Sequence, residues 1–343
     1  MTSPVPREAW EAALKADGGA LVSQSLAWRD AVLASGRHSD ASRLYDFGSG
    51  RRVVVPLARR RGLPPGCGAI SSWPPTAEIG GPICPGGVVE REAAAILADL
   101  ASISALSVQI RLRHDVADDW LAVASGWQAG RQTGYMLDLR RGFGDVWNSS
   151  FRSSVRQAVR KAERSQLTIE TGRSGPLLDV FCDLYETSIR RWAATRREPI
   201  WLARRLLAQE FSRARLDRMA EHFGDCLTVW VASRGGQPAA AVVILKAGSH
   251  AKYWRGAMDK EVAGPVQANN FLHRLAIEDA CSTGYSWYDM GFGDAPQLVA
   301  FKLKLGAVAQ RTVTLRRERL PVHSTRMRAE SMIKRAIGMR PES

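Results

Sequence analysis

The chain has 343 residues, with 48 lysines and arginines against 34 aspartates and glutamates, a formal net charge of +14. An apolar fraction of 45% is that of a globular protein with a full core, and no uncharged apolar stretch reaches the ~18 residues of a membrane span, so membrane-spanning and disordered classes are set aside. A balance this basic points to polyanionic partners: nucleic acid, nucleotide-linked substrates or anionic surfaces.

The N-terminal ten residues carry Arg7 and Glu8 and show no secretory apolar core. The five cysteines, at 67, 84, 182, 226 and 281, are odd in number, widely spaced and contain no C-x-x-C pair. This argues against a disulfide framework or a zinc site and for buried reduced thiols. A cytoplasmic location is the expectation.

In chain order, residues 7–16 and 24–35 are predicted helices, the second with Ser23 as N-cap. Residues 44–47 and 52–56 form two short strands around Gly48-Ser49-Gly50, a hairpin signal. From 62 to 87 the density of Gly and Pro predicts loop. A helix over 90–103 and strands over 107–112 and 134–139 complete the first half. Past Phe143 the character changes. Residues 146–165 have helical apolar spacing with many cations, 168–170 form a strand, and 177–191 and 200–223 form helices. Strands over 226–233 and 238–246 flank Gly235-Gly236, and a further strand covers 249–255. A helix at 269–283, a strand at 287–290, a helical segment at 299–305 and a strand at 311–317 follow. The basic tail from 321 is expected to be partly helical.

Each half thus reads as helices, a strand meander, a helix and a strand. The expected class is α/β, in two domains, 1–142 and 143–307, the second carrying the site, followed by 308–343 as a returning strand and basic tail. The order of elements and the lack of a strand–GxGxxG–helix unit argue against a doubly wound nucleotide fold.

Several segments together resemble the FemXAB branch of the GNAT superfamily. They are Gln24-Ser25-Leu26-Ala27-Trp28, Gly80-Gly81-Pro82, and the cationic run with Arg152, Arg156, Arg160, Lys161, Ala162 and Glu163. Further on come Leu184-Tyr185-Glu186-Thr187, Tyr253-Trp254-Arg255-Gly256-Ala257, Tyr288-Asp289-Met290-Gly291, and Phe301-Lys302 with Lys304, Gly306 and Ala307. Leu305 stands where the family has Phe. The resemblance implies two tandem GNAT-type domains, mixed sheets with flanking helices, and a last strand returning toward the first domain. It also implies transfer of an amino acid from aminoacyl-tRNA to an amine. The acceptor would be a peptidoglycan precursor or a peptide-like secondary metabolite, with no further cofactor. An acyl-CoA-dependent N-acyltransferase and a non-catalytic RNA-binding protein are the alternatives. Some members carry a helical hairpin arm; 200–223, read as one helix, shows none.

The resemblance places Phe301 and Lys302 on the transfer channel, where the Lys302 cation would stabilise the oxyanion formed at the ester carbonyl. The plain alternative is a solvated lysine. Asp289, at a strand end, would position the amine or accept its proton; a turn-capping Asp is the alternative. Tyr253 and Arg255 alternate onto one strand face and would bind the acceptor, with Tyr185 and Trp28 as further substrate contacts. Arg152, Arg156, Arg160 and Arg164 recur every four residues as one stripe, which with Lys161 and Lys304 suits tRNA phosphates or else is a solvated face. Arg204, Arg205, Arg213, Arg215 and Arg218 make a second basic surface, and the tail a third. The segment 264–270 lacks the glycines with which GNAT enzymes cradle CoA pyrophosphate, and Pro265 removes a donor. The six histidines show no metal spacing.

Overall fold

The computed structural model describes residues 1–64, 66–74 and 78–320. Among the described residues the chain divides into two compact units, Met1–Thr133 rejoined by residues 310–320, and Gly134–Ala309. The division falls inside a strand, Gln128–Asp138, that begins earlier than the 134–139 predicted.

The first unit opens with α1 (Arg7–Ala16) and α2 (Leu26–Leu33), then β1 (His38–Asp40), β2 (Arg43–Asp46), β3 (Arg52–Val55), β4 (Ala58–Arg60), β5 (Ala69–Ser71), α3 (Glu90–Ser102), β6 (Ser107–Leu112) and α4 (Ala117–Ala122). β2 and β3 form the predicted hairpin, with Leu44 opposite Val54. β5 lies inside the stretch expected to be loop and pairs in parallel with β6. In β6, Val108, Ile110 and Leu112 point into a core with Ile96, Leu97 and Trp120, the period-two pattern of a half-buried strand. Ser25, not Ser23, caps α2, its Oγ accepting the Trp28 N–H. Ser23 instead donates to the Ile79 carbonyl at 2.6 Å. Gln24 Nε2 donates to the Gly81 and Pro82 carbonyls at 2.7 and 3.2 Å, so the Gln-x-x-x-Trp and Gly-Gly-Pro segments are two halves of one buried contact. A Cβ on Gly81 would lie 2.8 Å from the Arg111 carbonyl, which leaves room only for glycine.

The second unit contains β7 (Gln128–Asp138, from Gly134), α5 (Phe143–Asp145), α6 (Ser153–Glu163), β8 (Thr168–Gly172), α7 (Gly175–Arg196), α8 (Ile200–Glu210), α9 (Arg213–Phe223), β9 (Leu227–Arg234), β10 (Gln237–Ala247), β11 (His250–Met258), α10 (Lys260–Val266), α11 (Ala268–Ser282), β12 (Trp287–Phe292) and α12 (Pro296–Lys304). Its strand order is β7-β12-β11-β10-β9-β8. Every residue from 239 to 245 in β10 is buried. That continuous run marks a central strand covered on both faces: α11 packs on it through Leu272, Ala276 and Ile277, and α7 packs on it as well. The predicted 200–223 helix is two, because Phe211 turns extended and Ser212 starts α9 by accepting the Arg215 N–H. The 146–165 helix is likewise interrupted. A wide π-type turn, Val146–Ser150, ends at extended Phe151, and α6 begins afresh. β13 (Val308–Glu318) follows α12 and pairs antiparallel with β6, Val313 opposite Leu112. The tail from 321 lies outside the described residues.

Candidate active site

β11 and β12 run parallel but pair only at His250–Trp287, Ala251–Tyr288 and Lys252–Asp289. Beyond that they part. β11 continues along β10 and carries a bulge: Ile244 faces Tyr253 and Val243 faces Arg255, leaving Trp254 as the extra residue. β12 breaks register with β7 between Asp289 and Phe292, where Gly291 takes φ +66° and donates its N–H to Asp289 Oδ1 at 2.8 Å. The bulge on one strand and the glycine turn on the other open a wedge between their C-terminal ends.

Three buried polar side chains hold this wedge. Lys252 Nζ lies 2.8 Å from Asp289 Oδ2 across the last paired register. Burial alone would push the Asp289 carboxyl up, but the Lys252 charge and hydrogen bond, with the Gly291 N–H, hold it below the usual carboxylate range. Lys302 enters from α12, only 1% exposed. Its Nζ donates to the carbonyls of Gly291 and Phe292 at 3.0 and 2.7 Å and lies 5.0 Å from the centre of the Tyr135 ring. The alternative of a solvated lysine is therefore excluded. His273, from α11, shares a 3.2 Å hydrogen bond through Nδ1 with the Tyr288 hydroxyl. Its ring meets Tyr253 edge-on at 4.6 Å and Phe301 at 5.1 Å. Burial, reinforced by the Lys302 charge, lowers its pKa to about 3, so it is neutral at ordinary pH. Burial also raises Tyr253 to about 12.

Of the residues expected at the site, Lys302, Asp289, Tyr253 and Phe301 gather at or beside this wedge. Arg255 does not share a face with Tyr253. The bulge breaks the alternation, so Tyr253 packs on His273 while the Arg255 guanidinium lies 5.5 Å over Trp254 and donates to its carbonyl. Tyr185 is buried among Phe181, Trp192 and Phe211, 4.5 Å from the last. Trp28 is fully buried in the first unit and offers no surface to a substrate. Arg152, Arg160, Lys161 and Lys304 are exposed, and the Arg152 N–H bonds the Lys304 carbonyl at 3.0 Å, bringing α6 and α12 together. Arg156 departs from the predicted stripe. It is half-buried and donates to the carbonyls of Trp147, Asn148 and Phe151, closing the π-type turn. The thiols are also less buried than expected: all five are free, Cys84 is buried, and Cys67 and Cys226 are exposed.

Lys252, His273 and Tyr135 were not among the predicted site residues. A signal for two of them exists: Lys252 is a cation inside an apolar strand, and His273 sits on the apolar stripe of α11. The segment 264–270 is not an open loop. Gly264, Pro265 and Val266 close α10, and Gln267 turns left-handed (φ +57°) into α11. Gln267 Nε2 returns to the Gly264 carbonyl and its Oε1 accepts from Asn270, both at 2.9 Å.

Residues 149–302 match the Acetyltransferase (GNAT) domain family. No curated protein matches the chain in sequence. Among solved structures, FemX superposes with a TM-score of 0.66 at 13% identity, covering 90% of this chain and 96% of that one. A conserved protein of unknown function from Bacteroides thetaiotaomicron gives 0.60 at 11% identity, with 91% and 96% covered. L-PGS from Bacillus licheniformis gives 0.53 at 14% identity, with 98% of both chains covered. By fold the chain is a FemX-like α/β protein of the GNAT type, and the domain matched in its second unit is of the acyltransferase class. No described helix is long and apolar enough to cross a membrane.

Proposed function

We propose that the protein is an aminoacyl-tRNA-dependent aminoacyltransferase acting in the cytoplasm on the amine of a peptidoglycan precursor or peptide-like metabolite. The observation that carries this reading is the closed helix-to-helix turn at Gly264–Gln267. A proline inside α10 and a Gln267 side chain bonded to the Gly264 carbonyl and Asn270 stand where a glycine-rich anion cradle for CoA pyrophosphate would be expected. The FemX-like fold and the net charge of +14 agree with it.

In this reading the wedge between β11 and β12, in the second unit, is the transfer site. The acceptor nitrogen attacks the ester carbon. A C–N bond forms, the C–O bond to the ribose breaks, and the amine proton ends on the ribose oxygen. The ester is already activated, so alignment supplies most of the rate. Lys302 places a desolvated positive charge beside the opening, where a developing oxyanion gains most from it. Asp289, fixed by Lys252 and held as a carboxylate, is a weak base and acts by positioning rather than by taking the proton. Tyr253 and Phe301 line the wedge, and Arg152, Arg160, Lys161 and Lys304 meet phosphates.

The match of residues 149–302 to an acetyltransferase domain favours, as the second reading, an acyl-CoA-dependent N-acyltransferase. One assay separates them. The protein is given a pool of charged tRNAs and, separately, acetyl-CoA, with a peptide amine as acceptor. Transfer abolished by RNase supports the first reading; RNase-resistant transfer from acetyl-CoA refutes it.

A further inference from the structure

Trp201, on α8, is 64% exposed, the highest exposure of any large aromatic side chain among the described residues. At about 100° per residue, Trp201, Arg204, Arg205 and Ala208 share the outer face of α8, and all are exposed. Ala203 is buried, with Leu202 and Leu207 half-buried on the inner side. Of the other exposed apolar residues of the helix, Leu206 lies on the inner side near Ala203, and Ile200 lies on a flank. The outer face therefore carries one indole, with Arg204, paired to Glu186 of α7, and Arg205 one turn along.

The surroundings are cationic. Between 186 and 208 the chain carries six arginines and two glutamates, and one of the glutamates, Glu198, is buried. The other, Glu186, is shared: Arg204 Nε reaches its Oε1 at 2.9 Å and Arg190 Nε at 3.3 Å. The helix is also tied to the wedge. α8 packs on α7, whose Ser188 and Arg191 donate to the Met258 carbonyl at 3.1 and 2.8 Å, at the end of the strand that parts from β12.

We propose that Trp201 is a stacking platform for an unpaired base of single-stranded RNA, with Arg204 and Arg205 on the adjoining phosphates. An aromatic face set in a cationic surface is how proteins hold unpaired nucleotides, because every base has a π face and every linkage a charge. A face that inserts into lipid needs a contiguous apolar stripe, and here the neighbours of the indole are arginines and an alanine. The proposal rests on the aminoacyl-tRNA reading, whose single-stranded acceptor end is the natural occupant.

The test uses the full chain and a fluorescein-labelled RNA ending in single-stranded ACCA, with a blunt duplex as control, followed by anisotropy over a range of NaCl. Trp201→Ala should weaken the single-stranded probe roughly 5- to 150-fold, the loss of one stacked base. The salt dependence should be unchanged, because an indole displaces no counterion, and the blunt duplex should bind as before. Trp201→Phe should retain most of the affinity, and Arg205→Ala should lower the salt slope by roughly 0.7. Unchanged binding of the ACCA probe by Trp201→Ala overturns the proposal. So does loss of binding to phosphatidylglycerol vesicles with RNA affinity intact, which would make the face a lipid contact. Failure of the transfer reading is separate. A protein that transfers nothing from charged tRNA yet shows Trp201-dependent ACCA binding keeps the platform, whereas active transfer with unchanged tRNA KM in Trp201→Ala removes it.

Discussion

Lys252 Nζ and Asp289 Oδ2 stand 2.8 Å apart at the last register pair before β11 and β12 separate. Both side chains are largely withdrawn from water, so each is tolerated mainly through the other. Lys252→Met alone should cost about 3–5 kcal/mol, by leaving a buried carboxylate without its cation. The double variant Lys252→Met/Asp289→Leu should recover most of that loss, less about 1 kcal/mol for the Gly291 N–H left without its acceptor. Urea denaturation of the two single variants and the double closes the cycle.

The same pair sets an acid limb. The folded state holds Asp289 below its unfolded value, near 3.9. Its stabilisation is therefore complete above that value and is lost as pH falls through the lower folded one. His273 acts in a higher window. It is neutral in the fold down to about pH 3 but takes a proton when unfolded below about 6.5, so stability should erode as pH falls from 6.5 toward 3. His273→Gln should flatten the upper window, and Asp289→Asn only the region below about pH 4. Melting temperatures from pH 7 to 3 distinguish the two.

Arg156→Ala should destabilise the protein by about 1–3 kcal/mol, because it strips donors from three carbonyls at the end of the π-type turn. The every-fourth-residue spacing alone predicts the opposite, a small gain from relieved repulsion. Arg160→Ala, at an exposed position, should leave the melting curve in place and lower tRNA affinity, with a salt slope reduced by about 1. Equal melting of the two variants would return Arg156 to the solvated stripe.

Lys302→Met should lower turnover by about 100-fold or more if its charge meets a developing oxyanion. It should also lower stability by about 1–3 kcal/mol, since the Gly291 and Phe292 carbonyls lose a buried donor. Single-turnover rates measured well below the melting temperature separate the two effects. A variant that melts early but turns over normally would make Lys302 structural.

Gly306 links α12 to the turn before α6. It takes φ +84°, and a Cβ there would lie 2.7 Å from the Ser150 carbonyl oxygen. Gly306→Ala should cost at least about 1–3 kcal/mol in backbone strain and displace Lys302 with α12. Loss of stability and activity together in this variant, checked by thermal melting and the transfer assay, is the expected outcome.

What the chain determined by itself was the local pattern. The apolar run of β10, the stripe of α11 and the hairpin glycines at 235 and 236 are short-range signals, and they place most elements to within a few residues. The ordered segments from Gln24 to Ala307 likewise carried enough to expect the FemX-like fold. Tertiary structure decided the rest, because the deciding partners lie far apart in the chain. The bulge at Trp254 exists only through the pairing of β11 with β10, and it turns Arg255 away from Tyr253. Lys302 is buried because Gly291 and Phe292 present carbonyls to it, and Arg156 leaves the stripe because the turn at 146–150 ends with carbonyls in need of donors. Periodicity shows which face of an element a side chain occupies; whether a cation there meets water, a carbonyl or a carboxylate depends on backbone brought in from elsewhere, since a buried charge persists only where such a partner is supplied.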